Sequence, residues 1–325
     1  MCKMQMTSRE RVERIINFQV PDRIAFNFWM DRRRMAELDA KYGADFRINH
    51  YDADVVESFV LVEYPHGRYE SANGTSWLAE PLFTSYDQVC DIVLPDPNSS
   101  DIYSLLKEDL AKYKSKAVVC DFPNVLSVLE SMRPQAELYM DMFTYPDELK
   151  KLCNKLSDFM AAVAENVCKL DITALYVMDD CACNKGLLIS PATLREFILP
   201  HWKKVIDAAH TYNKPVFFHS DGNLEEIWDI FACELNVRML NPLQPNLQDV
   251  SVFKRKYHGQ TGIYGGIETG ILHIMSPDHI REHVRNLFEK AGKGGGLIMS
   301  THDIDYSITN EQLDTFVSAI KSCVY

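Results

Sequence analysis

Two stretches of the chain place metal-competent side chains directly after apolar runs. In the first, the run Val216–Phe218 ends on His219, with Asp221 two residues further on and Gly222 behind it. In the second, Leu297–Ser300 breaks into Thr301, His302 and Asp303. Positions i and i+2 of an extended segment face the same way, so His219 and Asp221 reach toward one point. If the two ends meet, His219, Asp221 and His302 form a set of two imidazoles and one carboxylate. That is the donor pattern of a catalytic zinc, or another divalent metal, with a position left open for water or substrate. A histidine at a strand end is also often a hydrogen-bonded core residue, and spacing alone leaves that reading open.

Other apolar runs end on polar residues as well: Asn27 and Trp29, Asp121, Asp179 and Asp180, Asn241 and Gln244, and Glu268. Asp179 and Asp180 close the run Leu175–Met178. Adjacent carboxylates repel unless something cationic or proton-donating offsets them, so these two are candidates to carry a proton or to orient a metal-bound histidine. Asn27, Trp29, Tyr176, Gln244, Tyr264 and Glu268 are candidate substrate contacts. Asn241 before Pro242 reads most simply as a turn former, and Asp121 before Phe122 as a cap for the next helix.

The elements that must position these residues alternate regularly. Strands are expected over 24–28, 54–60, 117–120, 174–178, 216–218, 237–240, 262–264 and 297–300, mostly as continuous apolar runs of the kind covered on both faces. Helical spacing runs from Pro146 to Leu170, and cap-plus-proline pairs at Ser190-Pro191 and Ser276-Pro277 open two more helices, the first running toward His210. Thr7 and Glu10 make a capping box for an N-terminal helix that ends near Gln19, and Thr309 and Gln312 make another for the last helix. Eight strand–helix alternations predict an α/β fold, a (β/α)₈ TIM barrel, with residues 1–325 as one domain. Residues 61–115, rich in Tyr, Pro, Gly and Ser, read as an insertion over the barrel mouth.

Composition narrows the function further. A formal net charge of −12 excludes nucleic acid as an expected partner, since phosphate binding calls for clustered Lys and Arg. No apolar run approaches the ~20 residues that span a bilayer, and the polar start Met1–Glu10 is unlike a signal peptide. The 9 cysteines form no disulfide-like framework, which predicts a reducing, cytoplasmic setting. Cys181 and Cys183 are too close to form a zinc knuckle and read as structural. The oligomeric state is left open, a homodimer included.

Taken in order, several stretches resemble the uroporphyrinogen decarboxylase superfamily, and within it the corrinoid-linked methyltransferase branch. They are Thr7–Val12 with Pro21–Arg23, Leu175–Asp180, Gly186–Pro191, Phe218–Asn223, Leu240–Pro245, Tyr264–Ile267 and Gly294–Ser300. The resemblance covers nearly the whole chain and implies the same barrel. The decarboxylases carry an early Arg-Gln-Ala-Gly-Arg segment for the acidic substrate; this chain has Asn27–Arg34 there and lacks the motif. The methyltransferase branch binds zinc through a His-x-Cys pair and a distant Cys. His219 matches that histidine, Asp221 the first cysteine and His302 the last, so the implied site is harder and less thiolate-like. The resemblance therefore implies a metal-dependent methyltransferase moving a methyl group between a small thiol, methyl ether or methylamine and the cobalt of a corrinoid held by a partner protein. Two alternatives stand beside it: a metal-free carboxy-lyase, and a barrel homologue without catalysis.

Overall fold

The computed structural model describes residues 6–63, 68–72 and 75–325. Eight parallel strands form one barrel-shaped sheet: β1 (Ala25–Phe26), β2 (Val55–Phe59), β3 (Ala117–Pro123), β4 (Ala174–Met178), β5 (Val216–His219), β6 (Met239–Asn241), β7 (Gly262–Gly266) and β8 (Leu297–Ser300). Ladders join β2 to β3 and so on to β8, and β8 pairs back to β1 with Ala25 opposite Ile298. All eight expected strands are present, each within a few residues of its expected bounds, and the fold is a TIM barrel.

The joint between β1 and β2 differs from the other seven. No ladder crosses it; the Asp54 amide donates to Phe26 O at 2.8 Å, and the Phe26 amide donates to Asp54 Oδ2 at 3.0 Å. Fully buried Asp54 also accepts from Arg11 Nη1 at 2.6 Å and Arg23 Nη1 at 2.7 Å. One carboxylate thus closes the ring and ties it to the N-terminal helix Ser8–Ile16, whose Thr7–Glu10 capping box is formed as the sequence predicts.

The barrel interior follows the period of two that a pleated strand imposes. Ala25, Val55, Ala117, Val119, Ala174, Phe217, Met239 and Ile298 make an apolar inner layer with Tyr176 and Tyr264, and Val12, Ile15 and Ile16 of the first helix join the same cluster. One pleat further along their strands, toward the C-terminal ends, the inward register reaches Asn27, Glu57, Asp121, Met178, His219, Asn241 and Ser300. Apart from β4, where Met178 takes this place, these strands therefore change from apolar to polar between consecutive inward positions, and chemistry begins where the apolar layer stops.

Two expectations change in detail. The helix opened by Ser190 and Pro191 is two helices, Pro191–Phe197 and Leu199–Thr211. Pro200 has no N–H to give to the carbonyl four residues back, and its ring crowds that carbonyl, so the helix restarts there. The stretch 61–115 is also not all insertion. Tyr69–Ala72 pairs with Thr75–Leu78, and Leu82 N donates to Met132 O at 2.9 Å, while residues 64–67 and 73–74 lie outside the described residues. From Ser104 to Lys112 the chain is the ordinary crossover helix into β3, with Leu106 buried. Among the described residues no helix is long and apolar enough to cross a membrane, and no disulfide is formed; Cys120, Cys153, Cys168, Cys181 and Cys323 are buried free thiols.

Candidate metal centre

His219 ends β5, and its buried imidazole has a fixed orientation. Nδ1 lies 2.6 Å from Asn241 Oδ1, and that oxygen also accepts from the Tyr176 hydroxyl at 2.7 Å. Asn241 Nδ2 donates to Tyr264 O at 2.6 Å, which settles which end of the amide faces His219. Burial pushes the Tyr176 phenol well above its usual range, so Tyr176 is a donor here. Oδ1 of Asn241 can only accept, so Nδ1 of His219 carries the proton and Nε2 keeps its lone pair for a ligand.

The other two donors arrive from neighbouring loops. Asp221 follows β5, and its backbone amide is held by Asp180 Oδ1 at 2.8 Å. The next residue, Gly222, has φ +91° and packs against the hairpin Ala182–Leu187; a Cβ there would lie 2.6 Å from Cys183 N, so only glycine lets the loop turn this tightly. Its amide donates to Gln244 Oε1 at 2.8 Å. His302 follows β8, where Thr301 Oγ1 accepts from Trp29 N at 2.9 Å and donates to Trp29 O at 3.0 Å. The short parallel pairing of Trp29–Met30 with Asp303–Ile304 secures the same corner.

The two remote strand ends do converge. One donor atom from each of His219, Asp221 and His302 lies within 4.8 Å of the others. His302 Nε2 and Asp221 Oδ2 are 3.2 Å apart, close to the ~3.3 Å edge of a tetrahedron with metal–ligand bonds of about 2.0–2.1 Å. The two imidazoles face each other at 5.8 Å between centroids, with their planes 21° apart. Asp221 Oδ1 is buried without a hydrogen-bond partner, although buried carboxylate oxygens are ordinarily satisfied. A carboxylate oxygen without a donor beside two imidazoles, one of them turned by its tautomer, fits a divalent cation. His219 Nε2 also lies 3.6 Å from Asp180 Oδ1, so Asp180 borders the group.

A cavity of about 230 Å³ opens beside this group, lined in part by Trp29, Glu57, Asp121, Tyr176, His219 and His302. Glu57 is its most connected acid. It accepts from Trp29 Nε1 and Tyr264 Oη, and from Asn27 Nδ2 at 3.0 Å. Arg47 lies 3.7 Å over the Trp29 ring and donates to Asn27 Oδ1 at 3.1 Å. Asp121 borders the cavity from β3. Burial, reinforced by the neighbouring Glu57 charge, holds its carboxyl well above the usual carboxylate range, against the opposing pull of Arg47.

Of the anticipated substrate contacts, Trp29 and Tyr176 line the cavity, and Asn27 and Tyr264 support it through Glu57. Gln244 holds the Gly222 backbone instead. Glu268 is not among the lining residues, and its amide bonds His283 Nε2 at 3.2 Å. Asp179 faces the other way from its neighbour Met178. It accepts from the amides of Leu126 (3.1 Å) and Ser127 at the start of the helix Val125–Met132, and from the Trp202 indole. Burial pushes its carboxyl up to about 6, with those donors opposing. Asp179 is a helix cap remote from the cavity lining; Asp180 is the member of the pair that faces the metal group. Glu57 was missed in the sequence, where its signal is a lone acid inside an apolar strand, two residues from inward-facing Val55.

With the geometry in place, relatives of the chain can be compared. The model of the family described as uroporphyrinogen decarboxylase (URO-D) matches residues 117–323, more than half of the chain. The chain belongs to the uroporphyrinogen decarboxylase family. The uroporphyrinogen decarboxylase of Hydrogenovibrio crunogenus is 23% identical over 198 residues, which is 58% of this chain and 52% of that protein. The chloroplastic enzyme of Nicotiana tabacum is 23% identical over 192 residues, 56% of this chain and 45% of that one. The matched region thus spans about half the length of these curated relatives. Among solved structures, a methyltransferase from Methanosarcina mazei superposes with a TM-score of 0.75 over 97% of this chain and 98% of its own, at 13% identity. That likeness is one of fold, and it covers the whole barrel where the family model covers only part.

Proposed function

We propose that this family member is a divalent-metal-dependent methyltransferase that moves a methyl group between a small thiol, ether or amine and the cobalt of a corrinoid carried by a partner protein. One observation carries the reading: His219, Asp221 and His302 come together at the barrel's C-terminal end, with His219 Nε2 left free by its bond to Asn241. Zinc or a similar ion held by these three would act as a Lewis acid, favouring the ionised form of a thiol or hydroxyl and easing its departure or attack. The chain's own residues supply the rest. Asn241 and Tyr176 hold the imidazole, and Asp180 fixes the Asp221 loop while bordering the metal group, 3.6 Å from His219 Nε2. The closed apolar layer below keeps solvent from entering through the barrel floor.

The cavity's size favours this reading over tetrapyrrole decarboxylation. About 230 Å³ lies below the ~300 Å³ at which drug-sized ligands are usually accommodated, and a tetrapyrrole is larger still. A corrin ring is likewise larger than this cavity, which favours a cobalt offered at the rim by the partner. The test is metal analysis of purified protein beside His219→Ala, with methylcobalamin and a panel of thiols, phenols and amines followed by loss of the methyl–cobalt spectrum. About one divalent ion per chain, lost in the variant together with demethylation, is expected. Equal metal content in both proteins, or carbon dioxide release from a tetrapyrrole, overturns the reading.

A further inference from the structure

Glu57 and Asp121, beside the metal group, have no part in holding it, and the charges around them do not balance. Glu57 and Asp121 both border the cavity, and the Glu57 charge adds to the cost of ionising buried Asp121. One guanidinium, that of Arg47, lies near them, packed on the Trp29 ring and outside the cavity lining. Among the described residues no Lys or Arg lines the cavity; its other lining residues are Met178, Asn241, Ser300, Thr301 and Asp303, beside Trp29, Tyr176 and the two histidines. Apart from the exposed Asp303, two carboxyls thus face one cation, and the unmatched one is identifiable. Glu57 takes hydrogen bonds from Trp29, Asn27 and Tyr264, whereas Asp121 Oδ1 is buried with no partner. A carboxyl in that position stays neutral until a positive charge arrives beside it.

We infer that this end of the cavity is a subsite for the ammonium head of a small substrate, taken between the carboxyls of Asp121 and Glu57 with the aromatic walls of Trp29 and Tyr176 around it. A cation at this place completes the charge balance and gives Asp121 the partner it lacks. Aromatic walls suit an alkylated ammonium, which cannot satisfy the acids through several N–H bonds but is attracted by ring faces. The metal group lies at the same cavity, so the substrate class is a compact molecule with a cationic nitrogen at one end and an oxygen, sulfur or nitrogen donor at the other. The assignment rests on the methyltransferase reading for its chemistry, and on the cavity alone for its binding.

The test compares choline with its uncharged carbon isostere, 3,3-dimethylbutan-1-ol, by calorimetric titration of the full chain. Choline is expected to bind at least about tenfold more tightly, as a desolvated cation among ring faces and an acid should. Asp121→Asn is expected to bring the two ligands close to parity while leaving metal content unchanged, and Trp29→Leu to weaken choline more than the isostere. Equal affinity of the two ligands for the unaltered protein overturns the inference without reference to any variant, as does a preference for an organic anion such as 3,3-dimethylbutanoate. Metal content and methylcobalamin turnover are read separately. A cation preference in a metal-free, inactive protein leaves the subsite standing and removes the methyltransferase; an active metalloprotein with no cation preference does the reverse.

Discussion

Asn241 decides how His219 can be used. It accepts from the His219 ring and from Tyr176, and gives its own N–H to a backbone carbonyl, so any rotation of the amide breaks three contacts at once. Asn241→Leu is therefore expected to keep the barrel and lower metal affinity by about 10–100-fold, measured by competition with a chelator. Unchanged affinity would mean that the tautomer of His219 is set by something else. The candidate metal group was readable in the sequence because imidazole and carboxylate interrupt apolar runs abruptly. Asn241 was not, since an asparagine before proline is an equally good turn former. The two adjacent aspartates were separable only by register: Met178 lines the cavity, so the next side chain, Asp179, enters the helical layer, where backbone amides and an indole occupy it. Gln244 and Glu268 lie beyond the inward register of their strands, where a polar residue in sequence says nothing about which way it points.

Among the elements, the close approach of β6 and β7 is the least tolerant. Gly265 has φ +142°, and a Cβ on it would lie 1.9 Å from Pro242 O, so Gly265→Ala must push the two strands apart. A loss on the order of 3 kcal/mol is expected in denaturant unfolding, together with weaker metal binding as Asn241 moves. The packed helices Pro146–Cys168 and Leu199–Thr211 give a second test. His201 is buried between them, with Nδ1 2.9 Å from Ser157 Oγ, and burial, helped by nearby Lys204, lowers its pKa to about 4. The folded value lies below the unfolded 6.5, so this contribution is complete above pH 6.5 and fades as pH falls toward 4. The full loss through this group is at most about 3 kcal/mol, and His201→Gln should flatten that part of a pH series of urea unfolding curves. Strand and helix positions were largely legible because both faces of each strand are covered and the caps are ordinary Ser, Thr and Pro. The break at Pro200 was hidden because a proline near the start of a helix and one that divides a longer helix look alike until the carbonyl four residues back is located.

At the scale of the molecule, alternation of strand and helix was enough to predict a barrel, because parallel strands joined by helices have few ways to bury both faces. The extent of the excursion after β2 was not, since its Tyr- and Pro-rich composition runs without a boundary into the crossover helix Ser104–Lys112. Nor does any pattern announce how the ring closes. Asp54→Ala removes the 2.6 Å partner of Arg11, which keeps Asp22, and strips the β1–β2 joint of its side-chain bond, for an expected loss of about 2–3 kcal/mol, measured by thermal or urea unfolding. An unchanged melting curve would show the joint to be held elsewhere. The same construction sets the order in which the native protein breathes. The Phe26 amide is guarded by a carboxylate, where those inside β4 and β5 are guarded by strand ladders on both flanks. In deuterated buffer Phe26 should exchange first, with the hoop parting at its clasp while the remaining staves stay joined.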